Sequence, residues 1–184
     1  MRIIAGSAKG IRLAPVPKGV RPVSDMAREG VFSSLGTLMD GAGVLDLYAG
    51  TGAMGIEALS RGAEHAVLVE RDRAAARAIR ENLERTRLAG RAQIVPTDVT
   101  RFVTRDDKNR DRFDLVLADP PYETPVEEVE GVLAVLAEGW LVGDGSRVVL
   151  TRPSRSSTLV IPVHFLVARR LSYGDTLVLI IREA

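Results

Sequence analysis

The tetrapeptide Asp119-Pro120-Pro121-Tyr122 directly follows the apolar run 113–118, FDLVLA. Consecutive prolines end a strand, provide no backbone N–H and fix φ, so the carbonyl oxygens of Asp119 and Pro120 are held in place. A carboxylate and a carbonyl can accept both hydrogens of an exocyclic amine on a nucleobase, whose nitrogen is a poor nucleophile because its lone pair is delocalised. The Tyr122 ring can stack on the base. The tetrapeptide therefore favours methyl transfer to such an amine, with an ordinary proline-rich strand end as the alternative.

A glycine-rich segment, GTGAMG at 50–55, lies between the apolar run 43–49 and a helical pattern. Its G-x-G-x-x-G spacing lets the backbone turn tightly and approach a ligand at a helix N-terminus. Glu70 ends the next apolar run, twenty positions after Gly50, where a carboxylate can bind both ribose hydroxyls of an adenosine cofactor. We therefore predict a nucleoside cofactor; the alternative is a plain tight turn followed by an unremarkable strand-end glutamate.

The acid at position 46 helps to choose between two such cofactors. Asp46 stands four residues before Gly50, where it would repel a pyrophosphate but would face the ammonium group of a methionine moiety. This favours S-adenosylmethionine over a nicotinamide dinucleotide, with a strand aspartate bonded to backbone as the alternative. Asp98, after the run 92–96, is a candidate acceptor for the adenine amino group and equally a candidate helix N-cap.

Alternating strands and helices must position these residues. Apolar runs predict strands at 43–49, 66–70, 92–96, 113–118 and 147–151, with helices near 53–61, 72–88, 99–104 and 126–138. Nearly continuous Val and Leu in the runs indicates parallel strands buried on both faces. Residues 163–173 and 176–183 flank a Gly174-Asp175 turn, so the last strand is predicted to be antiparallel. If the strand order reverses between the first and fourth strands, the loops after both face one crevice.

Residues 1–40 precede this pattern and are predicted to form an extension of the domain 41–184. Two short apolar runs flank the loop GSAKG as a β-hairpin, and Ser24 is a candidate N-cap for a helix from about 25 to 39. Residues 1–30 carry a net charge of +4, against −3 for the rest. The candidate phosphate contacts in this segment are Lys9, Arg12, Arg21 and Arg28. For each, a solvated charge or an ion pair is an equal alternative.

Composition excludes several classes of function. The 184 residues contain no cysteine, which removes disulfides, thiolate metal sites and any cysteine nucleophile, and therefore C5 methylation of pyrimidines through a cysteine adduct. No metal site is predicted. The first ten residues are too short a pattern for a secretory signal, and no stretch approaches 18 apolar residues. We expect a cytoplasmic monomer without a membrane partner.

The motifs together resemble those of class I S-adenosylmethionine-dependent N-methyltransferases. The segments 2–13 and 20–35 are similar to those of the bacterial 16S ribosomal RNA guanine-N2 methyltransferases that modify the small subunit, and the resemblance spans essentially all 184 residues. It implies a Rossmann-like α/β fold with a seven-stranded sheet, and methylation of N2 of one guanine in 16S rRNA within a partly or fully assembled 30S subunit. The cofactor positions that it implies are Asp46, Tyr48, Ala49, Gly50, Gly52, Glu70 and Asp98, with a catalytic loop from Asp119 to Tyr122.

Three alternatives remain open. A nicotinamide-dependent oxidoreductase uses the same glycine spacing, but no catalytic histidine or lysine is predicted near the crevice, since His65 and His164 both read as structural. A non-catalytic RNA-binding protein on the same scaffold is the second. Adenine-N6 methylation is the third, because that amine presents the same chemical problem; the choice of guanine rests on the family resemblance.

Overall fold

The computed structural model describes residues 1–15, 23–105, 111–156 and 158–184. Within them lies a seven-stranded sheet in the order β3-β2-β1-β4-β5-β7-β6. The strands are β1 Gly43–Leu47, β2 His65–Val69, β3 Ala92–Val95, β4 Leu115–Ala118, β5 Arg147–Pro153, β6 Phe165–Tyr173 and β7 Thr176–Glu183. Strands β1 to β5 are parallel, and β7 is antiparallel to both β5 and β6. The predicted mostly parallel sheet with an antiparallel last strand is confirmed.

Helices cover both faces of the sheet. They are α1 Asp25–Leu35, α2 Ala53–Ser60, α3 Arg73–Thr86, α4 Val99–Val103 and α5 Val126–Leu136. Alternate strand residues face opposite sides, so Val44 packs in a first core cluster with α1, α2 and α3, while Leu45 packs in a second with α4 and α5. The helix predicted from 25 to 39 ends as an α-helix at Leu35, because Gly36 adopts a left-handed φ of 59°, and a 3₁₀ turn continues to Met39.

The N-terminal hairpin is less regular than predicted. Its two arms meet in a single antiparallel bridge between Arg2 and Arg12 instead of two strands. Backbone N–H groups of Ile4 and Ala5 donate to the buried Glu57 carboxylate of α2, at 2.8 and 3.0 Å. These bonds to α2 add to three backbone hydrogen bonds between the arms, from Ile3 to Ile11, from Gly10 to Ile3 and from Leu13 to Met1, so the hairpin is held both by its own pairing and by the domain.

Arg28 has a different role from the one predicted. Its side chain is fully buried. Nη2 donates to the Arg2 carbonyl at 2.6 Å and to the Asp25 carboxylate at 2.7 Å, and Nη1 lies 3.6 Å from Glu57. A guanidinium committed to these partners and shielded from solvent cannot contact a phosphate. The prediction of an RNA contact is therefore wrong for Arg28, and the ion-pair alternative is what the structure shows.

In the described parts of the chain, none of the helices has both the length and the apolar character needed to cross a bilayer.

Candidate active site

A cavity of about 700 Å³ opens at the carboxyl ends of the central strands. Its lining includes Asp46, Tyr48, Ala49, Gly50, Glu70, Asp98, Asp119, Pro120, Pro121 and Tyr122. Strands β1 and β4 are neighbours, with Leu47 beside Ala118, and the Asp119 N–H donates to the Leu47 carbonyl at 3.4 Å. The prediction that the glycine loop and the Asp119–Tyr122 loop share one crevice is confirmed.

The other predicted site residues lie outside this lining. Gly52 is the N-cap of α2 and has a left-handed φ of 76°, so it shapes the loop without facing the cavity. Lys9 and Arg12 are exposed on the N-terminal hairpin. Arg21 lies outside the described residues. The histidines at 65 and 164 do not line the cavity either.

The chain reverses sharply between β1 and α2. Tyr48 has a φ of 58°, a left-handed conformation that costs a non-glycine residue roughly 1–2 kcal/mol, and Gly50 has a φ of 56°. The turn closes with a 2.7 Å hydrogen bond from the Gly52 N–H to the Ala49 carbonyl. A tyrosine does not indicate a left-handed backbone conformation. The sequence could therefore place Tyr48 at the site but could not predict its strain.

Asn82 supports the glycine loop and was missed by sequence reasoning. Its fully buried amide donates through Nδ2 to the Thr51 carbonyl at 2.9 Å and accepts through Oδ1 from the Ala14 N–H at 2.7 Å. Helix α3 thereby ties the loop to the N-terminal segment. The available signal was a polar residue on the apolar face of a predicted helix, beside Ile79 and Leu83.

Glu70 is fixed at the edge of the cavity by backbone donors. The Gly50 N–H donates to Oε2 at 2.8 Å, and the Asp72 N–H donates to Oε1 at 2.7 Å. Each carboxylate oxygen has a second lone pair, so the group can accept two further hydrogen bonds. A pair of neighbouring ribose hydroxyls would supply two such donors, which agrees with the predicted role.

Asp46 is a buried carboxylate, only 2% exposed, on the same face of β1 as α2. Its Oδ2 accepts from the Gly55 N–H at 2.8 Å, and a Cβ added to Gly55 would come within 2.9 Å of that oxygen. The third glycine of the motif thus makes room for a carboxylate. Burial raises the pKa of Asp46 to about 7, with smaller contributions from the nearby charges of Asp119 and Glu70.

The carboxylates of the cavity fit a cationic cofactor better than a pyrophosphate. Asp46, Glu70 and Asp119 converge on it, and among the described residues no basic side chain forms an ion pair with any of the three. A ligand with an ammonium and a sulfonium group would compensate these carboxylates, whereas phosphates would add repulsion. The residues therefore fit S-adenosylmethionine.

Asp98 performs the N-cap role that was left open. Its Oδ1 accepts from the Arg101 N–H at 3.2 Å at the start of α4. Its Oδ2 lies 3.7 Å from Nη1 of Arg71, another residue of the cavity wall. Asp98 also lines the cavity, and its contact with adenine stays a prediction beside the cap.

Asp119 and Tyr122 bring different chemistry to the other side of the cavity. Burial raises the pKa of the Asp119 carboxyl to about 6, although a hydrogen bond from the Thr151 hydroxyl lowers it. Tyr122 lines the cavity and is 40% exposed, so it can be reached from solvent. Thr151 was missed, because only the pairing of β4 with β5 shows that it stands beside Asp119.

Gly55→Ala is expected to weaken S-adenosylmethionine binding at least about tenfold, because the new methyl group would displace the Asp46 carboxylate. Isothermal titration calorimetry measures the change. Gly131→Ala in α5 is the matched control, since a Cβ there meets nothing within 4 Å. The control should leave affinity unchanged and raise stability by about 1 kcal/mol through helix propensity. Equal affinity in both variants would contradict the assigned role of Gly55.

Comparison with known proteins shows which family this chain belongs to. A family model described as "Conserved hypothetical protein 95" matches residues 1–182. Ribosomal RNA small subunit methyltransferase D of Escherichia coli (strain K12) is 37% identical over 78% of this chain and 71% of its own. YlbH of Bacillus subtilis (strain 168), named as a candidate rRNA methyltransferase, is 34% identical over 100% of this chain and 99% of its own.

The fold agrees with the sequence match. The solved structure of yhhF from Escherichia coli, named as a candidate methyltransferase, superposes with a TM-score of 0.86 at 30% identity, and the match covers 100% of this chain and 97% of that one. The sheet is that of the class I methyltransferases. The chain therefore belongs to the Conserved hypothetical protein 95 family, and the relatives that it matches over most of its length include ribosomal RNA small subunit methyltransferase D.

Proposed function

We propose that this protein transfers a methyl group from S-adenosylmethionine to the exocyclic N2 amine of a specific guanine in 16S rRNA, within a partly or fully assembled small subunit. The observation that supports this most directly is the shared cavity of about 700 Å³, where a buried carboxylate fit for a cation faces the Asp119–Tyr122 loop. The names of the relatives, which specify small-subunit rRNA for methyltransferase D, supply the substrate class.

The cofactor would be held by the loops after β1, β2 and β3. Asp46 would pair with its ammonium group, the Glu70 carboxylate would accept from the ribose hydroxyls, and Asp98 would accept from the adenine amine. The positions of all three in the cavity wall are compatible with one extended ligand. When bound, S-adenosylmethionine supplies a methyl group already activated by the sulfonium.

The Asp119–Tyr122 loop would prepare the amine for attack. The amine would donate one hydrogen to Asp119 and the other to the Pro120 carbonyl, which favours a pyramidal nitrogen with an available lone pair. As the new N–C bond forms and the donor's S–C bond breaks, the nitrogen must lose a proton, and the Asp119 carboxylate can accept it. A carboxyl with a pKa of about 6 is ionised at neutral pH and well suited to proton transfer.

The N-terminal extension would bring RNA to the cavity. Val23, two residues before the start of α1, lines the cavity, and the exposed Lys9 and Arg12 lie on the same segment of residues 1–40. Their charges would contact phosphates, which position an RNA without reading its sequence. We assign this extension, including Arg21, to substrate docking, and we take the acting species to be a monomer.

The decisive experiment incubates the protein with labelled S-adenosylmethionine and either naked 16S rRNA or unmodified small subunits, followed by digestion to nucleosides. We expect label in N2-methylguanosine, with faster incorporation into subunits. Label in N6-methyladenosine would overturn the choice of base. Absence of label, together with calorimetric binding of NAD in place of S-adenosylmethionine, would overturn the function.

Tyr122→Ala is expected to raise the KM for the RNA substrate about 10- to 100-fold, because base–aromatic stacking contributes roughly 1–3 kcal/mol. Steady-state kinetics with the methylatable rRNA would measure the change. Tyr122→Phe keeps the ring and should stay within about threefold of the wild type. If the phenylalanine variant lost as much as the alanine variant, the hydroxyl and not the stacking face would carry the contribution.

A further inference from the structure

We propose that Thr151 is a positioning residue for the transfer reaction: its hydroxyl orients the Asp119 carboxylate so that one oxygen is engaged by the protein and the other faces the amine of the substrate. The inference rests on the proposed function. It means that β5 contributes a side chain to the site, in addition to the loops after β1 and β4.

The sheet brings the two residues together. Strands β4 and β5 are parallel, with Leu117 beside Val149 and Ala118 beside Leu150. The next residues along the two strands are Asp119 and Thr151. Because side chains alternate between faces, both project on the side of Leu117 and Val149, which pack in the first core cluster with α2. The contact between Asp119 and Thr151 therefore follows from the register of β4 and β5.

The contact has a defined direction. The Thr151 Oγ1 hydroxyl donates to Oδ1 of Asp119. Across the described residues, the Asp119 side chain takes part in no other hydrogen bond or ion pair. One carboxylate oxygen is thus occupied by the protein, and Oδ2 is left to accept a hydrogen from a ligand in the cavity.

Thr151 is well placed to act as a fixed donor. It is 3% exposed and lies in β5, between β4 and the antiparallel β7, where it pairs with Val178. A donor in the middle of a sheet cannot follow a carboxylate that rotates, so it selects one rotamer of Asp119. That fixed orientation is the form of preorganisation that aligns a reacting group at little cost during the reaction.

The hydroxyl also acts on the charge of Asp119. Burial raises the pKa of this carboxyl to about 6, and the Thr151 hydrogen bond opposes that rise. The charged groups that share the cavity with Asp119 are Asp46, Glu70, Arg71, Asp72, Asp98 and Glu123. Among them, Asp46 is close enough to Asp119 for the two charges to couple. Loss of the Thr151 donor should therefore raise the pKa of Asp119, and turnover that requires the carboxylate should fail at a higher pH.

The test compares Thr151→Val with Thr151→Ser on methylatable small subunits. Thr151→Val keeps the shape and removes the donor. We expect kcat to fall about 10- to 100-fold, the range of a hydrogen bond to a charged group, and the acidic limb of the kcat–pH profile to move to higher pH. The S-adenosylmethionine Kd and the RNA KM should change less than about threefold. Thr151→Ser should restore both kcat and the limb.

Thr86→Val is the matched control, because Thr86 is equally buried but its hydroxyl donates to the helix carbonyls of Asn82 and Leu83. It should leave kcat and its pH profile unchanged even if stability falls. Wild-type kcat and pH profile in Thr151→Val would overturn the inference.

A second measurement separates this inference from the proposed function. The Asp119 carboxyl of the cofactor-free protein can be followed by carbon-13 NMR. It should titrate at higher pH in Thr151→Val than in the wild type, whatever the substrate is. If the wild type methylates no rRNA, the proposed function is overturned, and the titration alone decides on Thr151. An upward displacement then supports its action on Asp119, and an unchanged titration overturns it.

Discussion

Asp119→Ala is expected to lower methyl transfer by about 10²- to 10⁴-fold, the range for loss of a positioned acid–base group. The variant loses the carboxylate that is proposed to orient the amine and to accept its proton. S-adenosylmethionine binding should stay within about fivefold of the wild type, because the residues proposed to hold the cofactor, Asp46 and Glu70, line the cavity from other strands. Initial rates with labelled donor and calorimetry of the same preparations would measure both quantities.

Asp114→Ala provides the control for this prediction on the same strand. Asp114 lies at the opposite end of β4, where its carboxylate accepts from the Gly43 N–H at 2.8 Å, and it does not line the cavity. Its loss should cost stability and leave turnover per folded molecule unchanged. Undiminished methylation by Asp119→Ala would remove the Asp119–Tyr122 loop from the mechanism. Equal losses of turnover and cofactor affinity would instead place Asp119 in the cofactor site.

The proposed roles of Asp46 and Asp119 differ because of the topology of the sheet. Asp46 and Asp119 belong to adjacent parallel strands, and both project on the face covered by α2. Asp46 points at the N-terminal part of that helix, where Gly55 donates to it, whereas Asp119 turns to Thr151 on the other side. Two acids on neighbouring strands are therefore held by different partners, and each retains one oxygen for a different part of a ligand.

Most of the fold and the positions of the acids could be predicted from sequence, because they depend on strong local patterns. Buried parallel strands are continuous apolar runs, and the acids at 46, 70 and 119 interrupt or end those runs. Ligands bind at the carboxyl ends of such strands where their order reverses. Given the reversal of strand order that such folds have between the first and fourth strands, these facts predict the shared crevice of the loops at 50 and 120.

The features that could not be predicted depend on which residues meet across the sheet. Thr151 is an ordinary β-branched strand residue until the register sets it beside Asp119. Arg28 looks like a surface base in a basic segment, yet α1 packs so that Glu57 of α2 receives it in the core. The sequence around Tyr48 does not indicate its left-handed φ of 58°. In each case the deciding interaction is long-range, and residue type alone does not contain it.

Asp46→Asn is expected to weaken S-adenosylmethionine binding at least about 100-fold, because a buried charge pair that loses one partner costs roughly 3–5 kcal/mol. The amide can still accept from the Gly55 N–H, so the loop should keep its shape. Wild-type affinity should also fall as the pH drops below about 7, where the buried Asp46 becomes protonated. Calorimetry between pH 5.5 and 8.5 would measure both effects, and Asp144→Asn, at an exposed loop position, is the control.

The same substitution should stabilise the cofactor-free protein. The pKa of Asp46 is about 7 in the folded protein, against 3.8 for an unperturbed aspartate, so the folded state binds this proton more tightly than the unfolded state. Its contribution therefore favours folding at low pH and is lost as the pH rises from about 4 to about 7, by at most about 4 kcal/mol. Asparagine removes this loss, so urea unfolding at pH 8 should show a more stable apo variant. The hypothesis is that the Asp46 carboxylate is ionised at a cost in stability and binds a cation. A variant that is less stable at pH 8, or that binds S-adenosylmethionine as tightly as the wild type, would contradict it.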